Sequence, residues 1–179
     1  MTLPATIKNL LKSGVSVLDL SRKNLEPADI RPLLDLLRDN KTVRELNLDE
    51  NRIGDEGARL IAGFLEDRDQ LRVLCLHDND IGPVGAGALG RALRSNQSLT
   101  DLDLGNNRLG PEGAEAIAHG LRGNNTLENL GLRYSDILAQ GSAALSEVLK
   151  DNRGLLVLNL TGNHVGGAGD LDNRDVGKA

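Results

Sequence analysis

The sequence predicts a single right-handed α/β solenoid, with parallel strands on a concave inner face and helices on a convex outer face. Three observations predict it. Apolar residues recur every 28 residues from Val15 onward, at Val15, Val43, Leu71, Leu99, Leu127 and Leu155, with no insertion. Each is followed by two leucines that alternate with other residues, as at Leu102 and Leu104, the pattern of a short strand with one face inward. The second half of the unit carries apolar residues at helical spacing. Ala58, Ile61 and Leu65 recur as Ala114, Ile117 and Leu121, each set on one helix face. One strand and one helix cannot bury their own apolar sides. Stacking the units does so, and it aligns the strands in a parallel sheet.

Residues 1–14 are expected to form a short helix. Pro4 sits where a first-turn proline is tolerated, Ile7, Leu10 and Leu11 make one apolar face, and Gly14 suits a left-handed helix end. Such a half-unit caps the open end of an array. Six units follow over residues 15–166, starting at 15, 43, 71, 99, 127 and 155. Their strand leucines are Leu18/Leu20, Leu46/Leu48, Leu74/Leu76, Leu102/Leu104, Leu130/Leu132 and Leu158/Leu160. The next fixed position reads Lys23, Asn51, Asn79, Asn107, Ser135 and Asn163. An asparagine side chain offers donors and an acceptor, so Asn51, Asn79, Asn107 and Asn163 are read as a structural ladder serving the backbone where it turns after each strand. Helices open at Gly54-Asp55, Gly82-Pro83 and Gly110-Pro111 and leave through polar residues such as Asn96, Asn124 and Asn152. Residues 167–179 hold only Leu171 and Val176 as large apolar residues, so no helix face is expected there. They read either as a loose, mildly acidic tail or as the edge of a longer array. The open C-terminal end is then the expected route to a weak homodimer.

The pattern L-x-x-L-x-L-x-x-N-x-L, at this period and with a full helix per unit, resembles the ribonuclease-inhibitor-like class of leucine-rich repeat over residues 15–166. The stretches GARLIAGFL and GAEAIAHGL are also similar to the GALA-type repeats of some effectors. Units 1 and 5 depart from the pattern at Lys23 and Ser135. The resemblance implies a horseshoe and a non-enzymatic protein-interaction scaffold. The class it resembles also includes inhibitors, Ran GTPase-activating proteins, sensing domains of intracellular receptors and bacterial effectors. GTPase activation, or a sensing or effector fragment of a larger intracellular protein, is therefore the alternative expectation.

Composition narrows the partners. The net charge is −5, which argues against nucleic acid and against an anionic membrane surface, both of which select clustered Lys and Arg. Aromatic residues are 1%, only Phe64 and Tyr134, too few for stacking platforms. Cys75 is the sole cysteine, so no internal disulfide can form. No N-terminal apolar leader and no stretch of membrane-spanning length is present. A reducing, cytoplasmic location is expected, with no cofactor and no metal.

The strand residues pointing away from the core carry the functional expectation. Glu45, Asp49, Asp78, Asp101 and Asp103 fall on the concave face of units 2–4, beside Asn47, Cys75 and His77, with Asp19 and Asn159 toward the ends. This partly acidic sheet face is expected to bind another protein with a basic surface. Arg133 and Tyr134 stand out in unit 5, next to Gly131, and are of the residue types enriched at interface hot spots. Cys75, His77 and a neighbouring acid could in principle order a nucleophile or a metal. An open sheet face offers no water-excluding pocket, so no catalytic residue is expected. Gly85-Ala86-Gly87-Ala88-Leu89-Gly90 spells a dinucleotide fingerprint, but its last glycines fall where the helix is predicted, not in a strand-to-helix turn.

Overall fold

A computed structural model describes residues 3–165, with side chains from Thr6 onward. The expectations placed on residues 167–179 lie outside the described residues. The order is α1 (Leu3–Lys12), β1 (Val17–Asp19), α2 (Pro27–Leu37), β2 (Glu45–Asn47), α3 (Gly54–Glu66), β3 (Val73–Cys75), α4 (Pro83–Ser95), β4 (Asp101–Asp103), α5 (Gly110–Leu121), β5 (Asn129–Gly131), α6 (Leu138–Leu149) and β6 (Val157–Asn159). The strands form one sheet in chain order, every pair parallel. Each residue pairs with the one a full period away, as Leu46 with Leu74 and Leu74 with Leu102. The chain is therefore an α/β solenoid of leucine-rich-repeat architecture.

The core follows the period. The strand leucines Leu18, Leu46, Leu74, Leu102 and Leu130 are buried, and so are the helix residues Ile30, Ile61, Leu89, Ile117 and Leu145. Each such side chain contributes about 1.5–3 kcal/mol when removed from water. In α1, Ile7 enters this core and Leu11 packs on it, while Leu10 is 38% exposed.

Two sets of asparagines hold the stack. In the first, Asn51, Asn79, Asn107 and Asn163 each donate from Nδ2 to the carbonyl of the strand-end leucine one unit back, Leu20, Leu48, Leu76 and Leu132. Their Oδ1 atoms accept backbone N–H groups of the same preceding turn, as Asn107 does from Asn79 and Ile81, both at 3.0 Å. Ser135 substitutes a hydroxyl that donates to Leu104 O at 3.3 Å. The second set lies at the other end of the helices. Asn96, Asn124 and Asn152 donate to the carbonyls of Leu65, Leu93 and Leu121, the last turns of the preceding helices. These residues are buried, where the sequence reading placed polar exits. Arg68 interrupts this set, and the Gln70 side chain donates to Asn40 O in its stead.

Small residues set the helix layer. A Cβ at Gly120 would overlap the carbonyl oxygen of Gly90, and one at Gly90 would overlap that of Ala116. The α4 and α5 backbones are thus in direct contact. Gly85, Gly87 and Gly90 all lie inside α4, away from the turn where a dinucleotide pyrophosphate would need them. The α4 N-terminus is instead capped by a side chain from the unit before, since Asp55 Oδ1 accepts Gly82 N–H and Gly85 N–H, each at 2.7 Å.

Candidate functional site

The register lays the outward strand residues in columns across the sheet. One column is Val17, Glu45, Val73, Asp101, Asn129 and Val157, and the next is Asp19, Asn47, Cys75, Asp103, Gly131 and Asn159. Neighbours in a column are about 4.8 Å apart. Pairing continues past the strands, with Glu50 N–H donating to His77 O at 2.8 Å and Asp78 N–H to Gly105 O at 3.0 Å. This carries Asp49, His77, Gly105 and Arg133 into a third column. In the fourth, Arg22, Glu50, Asp78, Asn106 and Tyr134 all adopt left-handed φ angles between 51° and 57°. That conformation costs an L-residue roughly 1–2 kcal/mol, and its repetition forms a rim of side chains along one edge of the face.

Much of the polar character of this face is engaged in the backbone. Oδ1 of Asp19, Asn47, Asp103 and Asn159 accepts the N–H two residues on, at 2.9, 2.9, 2.8 and 3.0 Å. That bond closes the turn after the strand. Cys75 cannot accept in this way, and the His77 N–H goes to Asp49 Oδ1 of the preceding unit at 2.8 Å. Burial pushes the Asp49 carboxyl above its ordinary range, opposed by the His77 N–H and reinforced by the charge of Asp103. Asp101 accepts from Asn129 Nδ2 and from the Thr100 hydroxyl, both at 2.6 Å. Glu45 and Asp78 also lie on this face, Asp78 on its rim.

Glycines shape the centre of the face. Gly105 leaves room for two side chains that fold over it, Arg133 from one side and His77 from the other. A Cβ there would lie 2.7 Å from Arg133 Cγ and 3.0 Å from His77 Nδ1. Arg133 Nη2 then reaches Asp103 Oδ2 at 3.9 Å, so the acidic column receives a cation from unit 5. His77 Nδ1 and Arg133 Nε are buried with no hydrogen-bond partner among the described residues. Gly131 clears space for the Asp103 carboxylate, since a Cβ there would lie 2.5 Å from Asp103 Oδ1. The Tyr134 ring lies over Gly162 and is 58% exposed. A shallow depression of about 280 Å³ runs from β3 to β6 beside Cys75, Asp101, Asp103 and Asn159.

The arrangement does not activate the Cys75 thiol. The Cys75 thiol is pushed up to about 12, first by burial and then by the charges of Asp49, Glu45, Asp103 and Asp101. Among the described residues no hydrogen bond links the thiol, the His77 imidazole and a carboxylate, and no three His, Cys, Asp or Glu residues form a group that could hold a metal. The rate of Cys75 alkylation by iodoacetamide is therefore expected to climb with pH through pH 10 without a plateau, lagging behind a free cysteine peptide. A plateau below pH 8 would reinstate a reactive thiolate.

Sequence reasoning overlooked the second asparagine set, although its signal is present in Asn40, Asn96, Asn124 and Asn152 at multiples of the same period. It also treated Asp19, Asn47, Asp103 and Asn159 as recognition groups alone, where each also closes a turn.

Residues 39–62, 71–90, 95–118 and 151–169 match the family model described as leucine rich repeat. No curated protein matches the sequence. Among solved structures, leiomodin-1 actin-binding site 2 aligns with a TM-score of 0.72 at 24% identity, over 84% of this chain and 89% of that one. The tropomodulin C-terminal domain of Caenorhabditis elegans aligns with a TM-score of 0.65 at 22% identity, over 83% of this chain and 92% of that one. These similarities show a shared fold. No helix among the described residues is long and apolar enough to cross a membrane.

Proposed function

The chain is a leucine-rich-repeat protein, and from that premise we propose that it is a non-enzymatic scaffold that binds another protein through its concave sheet face. The observation that supports this reading is the strand register, which brings Glu45, Asp49, Asp101 and Asp103 onto one rigid surface with Asp78 on its rim. A rigid repeat surface needs little reordering on binding. Its carboxylates complement a basic partner surface, with Asn47, His77, Arg133, Tyr134 and Asn159 as polar and aromatic contacts around them. The leiomodin-1 structure of the same fold is an actin-binding site, so actin is the first partner to test.

The test must remove charge without opening turns. Asp103→Asn keeps the oxygen that Gly105 N–H requires, and Asp101→Asn keeps an acceptor for Asn129. The combined Glu45→Gln, Asp101→Asn, Asp103→Asn variant is expected to lose about tenfold in affinity, mostly in the on-rate, and to flatten the salt dependence. Glu112→Gln with Glu115→Gln, on the convex side, serves as the control. Equal losses from both variants in surface plasmon resonance would move the binding surface off the concave face.

A further inference from the structure

We propose that the groove between α2 and α3 on the convex face binds a phosphomonoester dianion carried on an apolar or aromatic body. This goes beyond the concave-face reading and does not rest on it. The groove has a volume of about 360 Å³, and the repeat period explains why it is there. Gly90 and Gly120, through which α4 and α5 touch, correspond two units earlier to Leu34 and Phe64. Bulky side chains stand where the glycines stand, and α2 and α3 approach each other less closely than α4 and α5 do. Leu34, Leu60 and Phe64 supply an apolar floor. A Cβ at Gly63 would meet no atom of the described residues within 4 Å, so the space above the floor is open.

The lining is cationic on a chain of net charge −5. Arg31, Arg38, Arg59 and Arg68 face it, against Asp35 and Asp67, which leaves two positive charges uncompensated. Arg38 pairs with Asp35 at 3.2 Å. Arg31, Arg59 and Arg68 enter no ion pair among the described residues. The Arg68 guanidinium stacks over the Phe64 ring, 5.1 Å from its centroid, and its Nε is buried with no hydrogen-bond partner among the described residues. A phosphomonoester carries about −1.5 to −2 at pH 7, which matches the excess, whereas a single carboxylate would leave one charge unbalanced. Planar guanidinium forks bind phosphate oxygens in pairs. The corresponding groove between α4 and α5 sets Arg91 and Arg94 against Glu112 and Glu115, so its charge is already balanced.

The experiment follows backbone amide shifts of the full-length, isotope-labelled chain during titration with phenyl phosphate, with phenol as the uncharged control. Shifts confined to α2 and α3 are expected with phenyl phosphate and not with phenol. Arg59→Gln combined with Arg68→Gln is expected to weaken binding at least about tenfold, with an unchanged melting temperature, and Arg31→Gln provides an independent second variant. Arg91→Gln with Arg94→Gln is expected to leave binding unaltered. A phosphotyrosine peptide separates the sources of the anion. Much tighter binding of this peptide than of phenyl phosphate assigns the site to a phosphorylated side chain, and equal affinity assigns it to a free organic phosphate. Absence of shifts up to about 10 mM of either phosphate, or binding that survives the arginine substitutions, overturns the proposal.

Discussion

Gly120→Ala is expected to destabilise the array by about 3 kcal/mol, whereas Gly87→Ala is expected to stabilise it by about 0.5–1 kcal/mol. Both replace a glycine on the contacting α4–α5 faces with the same methyl group, so helix propensity favours both equally. They differ in space. A Cβ at Gly120 would overlap the backbone of Gly90, which cannot rotate aside, so the helices must part. A Cβ at Gly87 would meet only Arg91 Nη1 at 3.7 Å and Ala116 Cβ at 4.0 Å, which is ordinary contact. Each unit touches only its neighbours, so the loss concentrates at the junction of units 3 and 4. Urea unfolding gives the sign of both changes, and hydrogen exchange locates the loss in α4 and α5. A neutral Gly120→Ala would show that these helices separate freely.

Asn107→Ala is expected to cost about 4 kcal/mol. Its side chain accepts from Asn79 N–H and Ile81 N–H and donates to Leu76 O at 2.8 Å and Leu104 O at 2.9 Å. Removing it strands these groups in a core that water does not reach. Asn107→Ser, which copies Ser135, keeps a donor but not the carbonyl acceptor, and is expected to recover part of the loss. Asn124→Ala tests the other ladder, since Asn124 donates to Leu93 O at 2.6 Å and to Asn96 O at 3.1 Å. Equilibrium unfolding of the three variants ranks them. An Asn124→Ala variant as stable as the parent would return that residue to the solvent-facing role that its place after a helix suggests.

The strands, their order and their register were legible in the sequence because a strict period leaves one way to align Leu46, Leu74 and Leu102. The first asparagine ladder was legible for the same reason, since its residues sit directly after the strand leucines. The second was not, because a polar residue after a helix is ordinarily solvated, and only burial separates Asn96 from that ordinary case. Whether Asp103 faces a partner or its own backbone depends on a dihedral angle after the strand, which no residue pattern encodes. The reach of Arg133 to Asp103 depends on the missing side chain of Gly105, one unit away in space but 28 residues away in sequence. The groove between α2 and α3 likewise appears only when Leu34 and Phe64 are compared with the glycines two units later.

The helix contact through Gly90 and Gly120 has a geometric consequence for the opposite side of the molecule. Hydrogen bonding holds the strands about 4.8 Å apart, while helix axes lie about 8–10 Å apart depending on the side chains between them. Each repeat is therefore a wedge, and the bend between neighbours grows with the excess of outer spacing over inner spacing. Glycines at the α4–α5 junction make the wedge thin, so the sheet is expected to run flatter at β3–β4 than at β1–β2. Leu34 and Phe64 at the α2–α3 junction make it thick, so a sharper turn is expected at β1–β2. Side-chain volume at two convex positions per unit thus sets the radius of curvature of the inner face, and with it how rounded a surface can seat against the carboxylates of β2 to β4.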